Sequence, residues 1–316
     1  MDIEILEMAE RKARFILRNS SPAMANALRR TLLSDLPKMA IHKVEFHLGP
    51  LTDGTGKEYE SNTPLFDEII AHRLGMVPVP TDLSLFVPQE ECSCGGVGCP
   101  NCTIEYFLNK SGPCTVLSGD LLPMAAPEHR EAFKVKDEFI PIVELANEQG
   151  INVIATAVMG TARKHVKWQV CNGVGYKYLP RVEVDPASAG KEDVLECAKI
   201  CPKNVFSVYE NPDGSEILKA ERPYDCSLCK ACVDSIRNKN AITVEGDDTC
   251  FIFKYETDGS YTAQAALDEA LKILRDEARE FADMIENIGP ESSLYPAPVE
   301  EAPEEDYSEE AQNGSE

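Results

Sequence analysis

Residues 21–33, Ser21-Pro22-Ala23-Met24-Ala25-Asn26-Ala27-Leu28-Arg29-Arg30-Thr31-Leu32-Leu33, read as a helix with a marked beginning. Ser21 is an N-cap residue, Pro22 fits the first helical position, and Met24, Leu28 and Leu32 share one face. Pro37 ends the run. Before it, Ile3 and Ile5 alternate with acids, and Ala13, Phe15 and Leu17 alternate with Arg14 and Ile16, which predicts a hairpin. After it, Ile41, Val44, Phe46 and Leu48 predict a third strand. A strand–strand–helix–strand unit therefore opens the chain.

A second helix is expected after the Gly49–Gly56 loop, capped by Thr63, opened by Pro64 and closed by Gly75. Strands are expected at Phe139–Leu145 and Ile151–Val158, and again through Phe251, Phe253 and Tyr255. Between Cys171 and Asp248 the pattern suggests short strands and helices around cysteines. The last expected helix, Thr262 to Ile288, carries Leu267, Leu271, Leu274, Ala278, Phe281, Ile285 and Ile288 at steps of four and three. That seam packs on its own domain or takes a partner helix. Residues 291–316 are acidic and contain proline, a composition expected to be disordered.

The net charge is −23, nine of the negatives lie in residues 291–316, and the remainder still carries −14. Strong direct DNA binding is not expected of such a surface. No apolar run is long enough to cross a bilayer and the acidic start has no signal-peptide character, so a cytoplasmic protein is expected.

Twelve cysteines are many for such a chain, and eight of them have metal-ligand spacing. Cys226, Cys229 and Cys232, with two residues between each, suit three corners of an iron–sulfur cluster. Cys201, followed by Pro202, is the expected fourth ligand. Sliding the second half back by 35 residues aligns Cys232 with Cys197, and Asn240-Ala241-Ile242 resembles Asn204-Val205-Phe206. This is a ferredoxin-like duplication. Its other ligand set is broken by Lys191, Val194 and Ile236, so one [4Fe-4S] cluster is expected, with a [3Fe-4S] form open. A second cluster would have to recruit Cys171, Cys197 and Cys250, which read better as buried apolar residues. Cys92, Cys94, Cys99 and Cys102 on a glycine-rich loop suit a structural zinc; a reduced loop without metal is the other reading. There is no Walker-type loop, GxSxG, HExxH or dense aspartate cluster, so no catalytic residues are assigned.

Three segments carry a family resemblance: Asn26 to Leu33; Glu68-Ile69-Ile70-Ala71-His72-Arg73-Leu74-Gly75-Met76-Val77-Pro78; and Gly160 to Trp168 with His165-Val166-Lys167-Trp168. With the terminal helix, they resemble the RNA polymerase subunit family of bacterial alpha, archaeal D and their eukaryotic counterpart. The resemblance implies an α+β fold. Residues 1–48 and 250–290 would form a discontinuous alpha-like dimerisation domain. Inserted into it would be a mixed domain, 49–168, and a ferredoxin-like [4Fe-4S] domain, 169–249. The iron–sulfur insertion makes the D branch the nearer one. The Cys92–Cys102 loop resembles the eukaryotic zinc loop with a different middle gap.

The implied function is a non-catalytic assembly platform of a DNA-directed RNA polymerase. It would pair with a small L subunit and then take up small subunits N and P and the large catalytic subunits. Asn26, Arg29 and Arg30 match positions that face the second-largest subunit, while Leu267, Leu271, Leu274, Phe281 and Ile285 match the dimerisation helix. Two rivals are a ferredoxin-type electron carrier and a nucleic-acid-binding module with a structural zinc. The first is opposed by the single cluster and the lack of a flavin or dinucleotide fingerprint, the second by the acidic balance.

Overall fold

The computed structural model describes residues 1–52, 56 and 58–287, with the side chain of Leu51 left out. Ile288 of the expected seam and the 291–316 tail lie outside the described residues. The chain divides into a large unit, Met1–Leu274, and a second unit from Arg275 onward.

The opening unit forms as expected except that its third strand stops at Phe46 and leaves Leu48 exposed beyond it. Strand β1 (Asp2–Met8) pairs antiparallel with β2 (Lys12–Arg18), and α1 (Pro22–Ser34) follows. Ser21 caps α1, its hydroxyl accepting from the Met24 N–H. Then come β3 (Lys38–Phe46), β4 (Pro50–Thr52), β5 (Glu58–Glu60) and α2 (Asp67–Gly75). Helix α2 begins later than expected, with Phe66 at its N-cap and no side-chain cap. Thr63 does not cap it because its hydroxyl donates to the Leu65 carbonyl and closes a turn ahead of the helix.

The middle of the chain supplies β6 (Thr103–Ser111), β7 (Cys114–Leu117), β8 (Leu122–Pro123), α3 (Pro127–Arg130), β9 (Pro141–Leu145) and β10 (Gly150–Gly160). A four-stranded sheet in the order β3-β10-β6-β8 buries Met39, Ile41, Tyr106, Leu108, Val153 and Ala155 against Ile70 and Leu74 of α2.

Where short elements were expected, β11 (Cys171–Val184) is one strand of 14 residues. After it come α4 (Glu192–Leu195), α5 (Cys197–Ile200), β12 (Phe206–Glu210), β13 (Glu216–Ala220), α6 (Ala231–Ser235) and β14 (Ile242–Thr257). Strands β11 and β14 pair along their lengths, so one ribbon carries the chain out to the cysteine-bearing region and back. The expected boundary at 249 falls inside β14. Aromatic side chains stiffen the ribbon: Tyr176 lies 5.2 Å from Phe253 and Tyr178 5.4 Å from Phe251.

The sheet β1-β2-β14-β11 carries the second core. Phe15 stacks on Phe253 at 5.3 Å, and Leu28 and Leu32 of α1 pack against this face. Each such buried side chain stabilises the fold by roughly 1.5–3 kcal/mol. Ile16, placed outward by the alternation, is fully buried too, opposite Ile252 in the ladder. Helix α7 (Ala263–Glu286) lays Leu267 on the same core together with Ala263, Ala266 and Ala270, whose small side chains admit close approach.

One buried ion pair ties these layers. Lys38 of β3 pairs with Asp258, beyond β14, and also donates to the carbonyls of Lys167 and Gln169. Asp258 in turn accepts from the backbone N–H and hydroxyl of Ser260. The third core surrounds the C-terminal half of the ribbon's outward strand with Val194, Phe206, Leu218, Ile236 and Ile242, and it includes Cys197, Cys226 and Cys232.

Candidate functional site

The first cysteine group is assembled by two tight turns. The Gly95 N–H donates to the Cys92 carbonyl, and the Cys102 and Thr103 N–H groups donate to the Cys99 carbonyl. Gly95, Gly96 and Gly98 all take positive φ, the last at 101°, where a side chain would be strained. The chain thus doubles back and brings all four sulfurs within 4.8 Å of one another. Cys92 and Cys99 are 3.5 Å apart, Cys94 and Cys102 3.7 Å, and Cys99 and Cys102 3.9 Å. A tetrahedral zinc with bonds of about 2.3 Å sets its sulfurs about 3.8 Å apart, so this donor set fits such an ion.

The electrostatics of the four thiols differ. The Gly98 backbone N–H, followed by the bond to Cys92, brings the Cys94 thiol down to about 6. Burial pushes the Cys102 thiol up to about 12. A dication would offset that cost, since thiolate is the form it binds.

The second group is drawn from separate segments. Cys201 follows α5 and accepts from the Val205 N–H at 3.5 Å, while Cys226 accepts from the Leu228 N–H at 3.4 Å. Leu228 and Lys230 both take left-handed φ, 58° and 59°, around the exposed Cys229. The Ala231 N–H is the first cause holding the Cys229 thiol below its ordinary range. Cys232 lies on α6, and burial, then repulsion from Cys197, Cys226 and Cys201, pushes its thiol up to about 11.

Cys201, Cys226 and Cys232 therefore surround one small core, and Cys229 faces outward from the same loop. Among the described residues, the first group is the one whose sulfurs all come within 4.8 Å of one another; these four do not gather so closely. Lys177 on the ribbon donates to the carbonyls of Tyr224 and Cys226 at 2.6 and 2.7 Å, anchoring this loop. Cys197 is buried and donates to the Cys232 carbonyl.

The expected interface residues occupy two helices. On α1, Arg29 donates twice to Asn26 Oδ1, at 3.1 and 2.8 Å, while Arg30 is exposed. On α7, Leu267 is buried and Leu271 and Leu274 are half-buried against the second core. In the unit from Arg275, Phe281, Met284 and Ile285 are 64%, 54% and 51% exposed. The expected seam thus has a covered half and an uncovered half. No helix among the described residues is long and apolar enough to cross a membrane.

Sequence reasoning missed Lys38 as a buried charge, because it sits where a strand was expected to begin and lysine is rarely enclosed. Nor did it show that His42, His72 and His165 line one small cavity with Lys167. The fold alone brings these four together.

A strand–strand–helix start, a long terminal helix on the same sheet and an inserted mixed region define a known class. The chain belongs to the RNA polymerase Rpb3/Rpb11 dimerisation domain family, which it matches over residues 14–278. Within it, the chain is 41% identical to DNA-directed RNA polymerase subunit Rpo3 of Thermoplasma volcanium over 276 residues, 87% of this chain and 96% of the relative. Rpo3 of Picrophilus torridus is 40% identical over 286 residues, covering 90% and 99% of the two chains. Rpo3 of Archaeoglobus fulgidus is 37% identical over 287 residues, covering 91% and 98%.

Proposed function

We propose that this chain is the non-catalytic assembly-platform subunit of a cytoplasmic DNA-directed RNA polymerase, of the archaeal Rpo3 type. The observation that carries this is its likeness to Rpo3 proteins across nearly their whole length, including the dimerisation helices. The family assignment sets aside the electron-carrier alternative.

In this reading α1 and α7 form the face that takes a small L-type subunit. The exposed Phe281, Met284 and Ile285 supply apolar surface for that partner. Asn26, Arg29 and Arg30 then meet a large catalytic subunit. The Asn26–Arg29 bonds hold one guanidinium in place ahead of binding, which lowers the ordering cost. Small subunits N and P complete the platform, and DNA is held by other chains of the complex.

Residues 1–48 with 250–290 act as the dimerisation domain, 49–168 as the mixed insertion and 169–249 as a ferredoxin-like insertion. A helix leads into a buried strand start twice, at α5 with Phe206 and at α6 with Ile242, which supports a duplicated origin. Cys201, Cys226, Cys229 and Cys232 hold one iron–sulfur cluster. The left-handed Leu228 and Lys230 favour this, since such strain persists where a site requires it. Cys92, Cys94, Cys99 and Cys102 hold a structural zinc.

The test is an anaerobic pull-down of the tagged full chain from its own cytoplasm, with bound chains identified by mass spectrometry. Recovery of a small L-like subunit with the large polymerase subunits is expected. Recovery of redox enzymes without polymerase chains would overturn the reading.

A further inference from the structure

The chain is strongly acidic, yet the titratable residues that line one recess on it are all bases. A cavity of about 190 Å³ between β3, α2 and the segment before β11 is bounded by His42, His72, His165 and Lys167, with Val44 and Met76 among its apolar walls. None of these four basic side chains has a carboxylate partner among the described residues. Glu90 and Glu91 line the adjoining cleft, and Glu90 is taken by Lys164 at 2.7 Å.

The hydrogen bonds make the recess one-sided. The Lys167 ammonium donates to the Ile41 carbonyl and meets His42 Nδ1, both at 2.9 Å. An ammonium only donates, so His42 Nδ1 accepts and the ring proton sits on Nε2. His165 Nδ1 accepts the Lys167 backbone N–H at 3.1 Å, which fixes its proton on Nε2 in the same way. The Trp168 ring, 4.4 Å from the Lys167 ammonium, holds the lysine stem in place. Lys167 thus uses two of its protons within the chain, and its third proton and the Nε2–H groups of His42 and His165 are left to donate.

We propose that this cavity is a docking site for a carboxylate side chain, an aspartate or glutamate presented by another protein chain of the assembly. Charge complementarity selects an acid. The small volume admits one side chain, and Met76 and Val166 at 44% and 54% exposure give a partner's surface something apolar to cover. A nucleic-acid strand would need a track of uncommitted cations, whereas Lys43, Arg163 and Lys164 beside this point are each paired with a carboxylate. The inference rests on the assembly reading above.

Carbodiimide coupling of the complex purified through a tag on the full chain tests it, because the reagent joins an amine to a carboxylate already paired with it. Lys164 and Glu90 provide an internal positive. The expected result is an amide between Lys167 Nζ and an aspartate or glutamate of a second polypeptide, absent in Lys167→Gln. That variant should also retain the linked chain about tenfold less well at moderate salt, while far-UV circular dichroism shows its fold kept. A Lys164–Glu90 link with Lys167 unlinked, or linked only within its own chain, would overturn the proposal. So would protection of Lys167 from acetylation by inorganic phosphate without any link in the complex, which would make the recess a free-anion site. Absence of polymerase subunits from the purified material would instead overturn the assembly reading, while the partner of Lys167 still decides this one.

Discussion

The two cysteine regions solve different physical problems. Cys92 to Cys102 lie within eleven residues, and backbone turns alone bring their sulfurs to 3.5–3.9 Å. The loop borders a large core that contains Tyr106, Phe86 and Leu108 and does not depend on it. Cys201 to Cys232 come from separate segments, and three of them are packed in or against the core of their region. In the first case the fold itself gathers four thiols that could hold a metal; in the second the proposed cluster would stand in for part of a core. The difference teaches where loss of metal should be felt.

The largest effect is expected from Cys226→Ser with Cys229→Ser. A region with so few large apolar residues has little burial to offset its chain entropy, so loss of the cluster should unfold it. Limited proteolysis should then cut between residues 185 and 241 while the sheet around Phe15 and Phe253 stays protected. Unchanged protease resistance would break the comparison, because the second region would then stand without its cluster.

Next comes Lys38→Met, which strikes the frame both regions share. It leaves Asp258 enclosed without its cation, a loss of about 3–5 kcal/mol. Chemical denaturation should show the change in midpoint, and adding Asp258→Asn should recover part of it. If Lys38→Met selectively exposed one cysteine region, the two would not share a frame as described.

Cys99→Ser should act more gently. Removing one of four thiolates should release the proposed zinc, measurable by a chromogenic chelator, and cost the fold about 1 kcal/mol, a shift of roughly 2–4 °C in Tm. A loss as large as that from the Cys226 and Cys229 changes would abolish the contrast.

The elements legible in advance were those set by local rules. Ser21-Pro22 announced α1, alternation announced β2, and cysteine spacing announced the four thiols that gather at Cys92, Cys94, Cys99 and Cys102. What could not be read depended on long-range pairing. The 14-residue β11 looked broken because Gly173, Gly175 and Pro180 weaken its pattern, and only the ladder to β14 sustains it. Thr63 was taken for a cap because the residue type suits one, whereas its hydroxyl is used in a turn. Gly160 opens one of the segments that carry the resemblance, but its packing role was not legible: a Cβ there would lie 2.6 Å from Trp168, so the HVKW segment packs on β10 only because this residue is glycine. The basic recess belongs to the same class, since its histidines are separated by 30 and 93 residues in sequence.

The smallest expected effect concerns Asp35, a tie that belongs to neither cysteine region and so provides their baseline. Burial opposes its charge, but hydrogen bonds from Arg163 and Ser34 outweigh that and hold its pKa below the ordinary value. A carboxylate with a depressed folded pKa stabilises fully above its unfolded value, near pH 4, and this contribution is lost as pH falls through the lower folded value. The Tm gap between the native chain and Asp35→Asn should therefore be steady from pH 5 to 7, at about 1–2 °C, and close below about pH 4. Acid also strips thiolate-bound metal, but it does so in both proteins, and the difference between them isolates Asp35. A gap that widened towards acid would mean that the Arg163 bond does not hold the carboxylate charged. The joint between α1 and the segment before Trp168 would then rest on apolar packing alone.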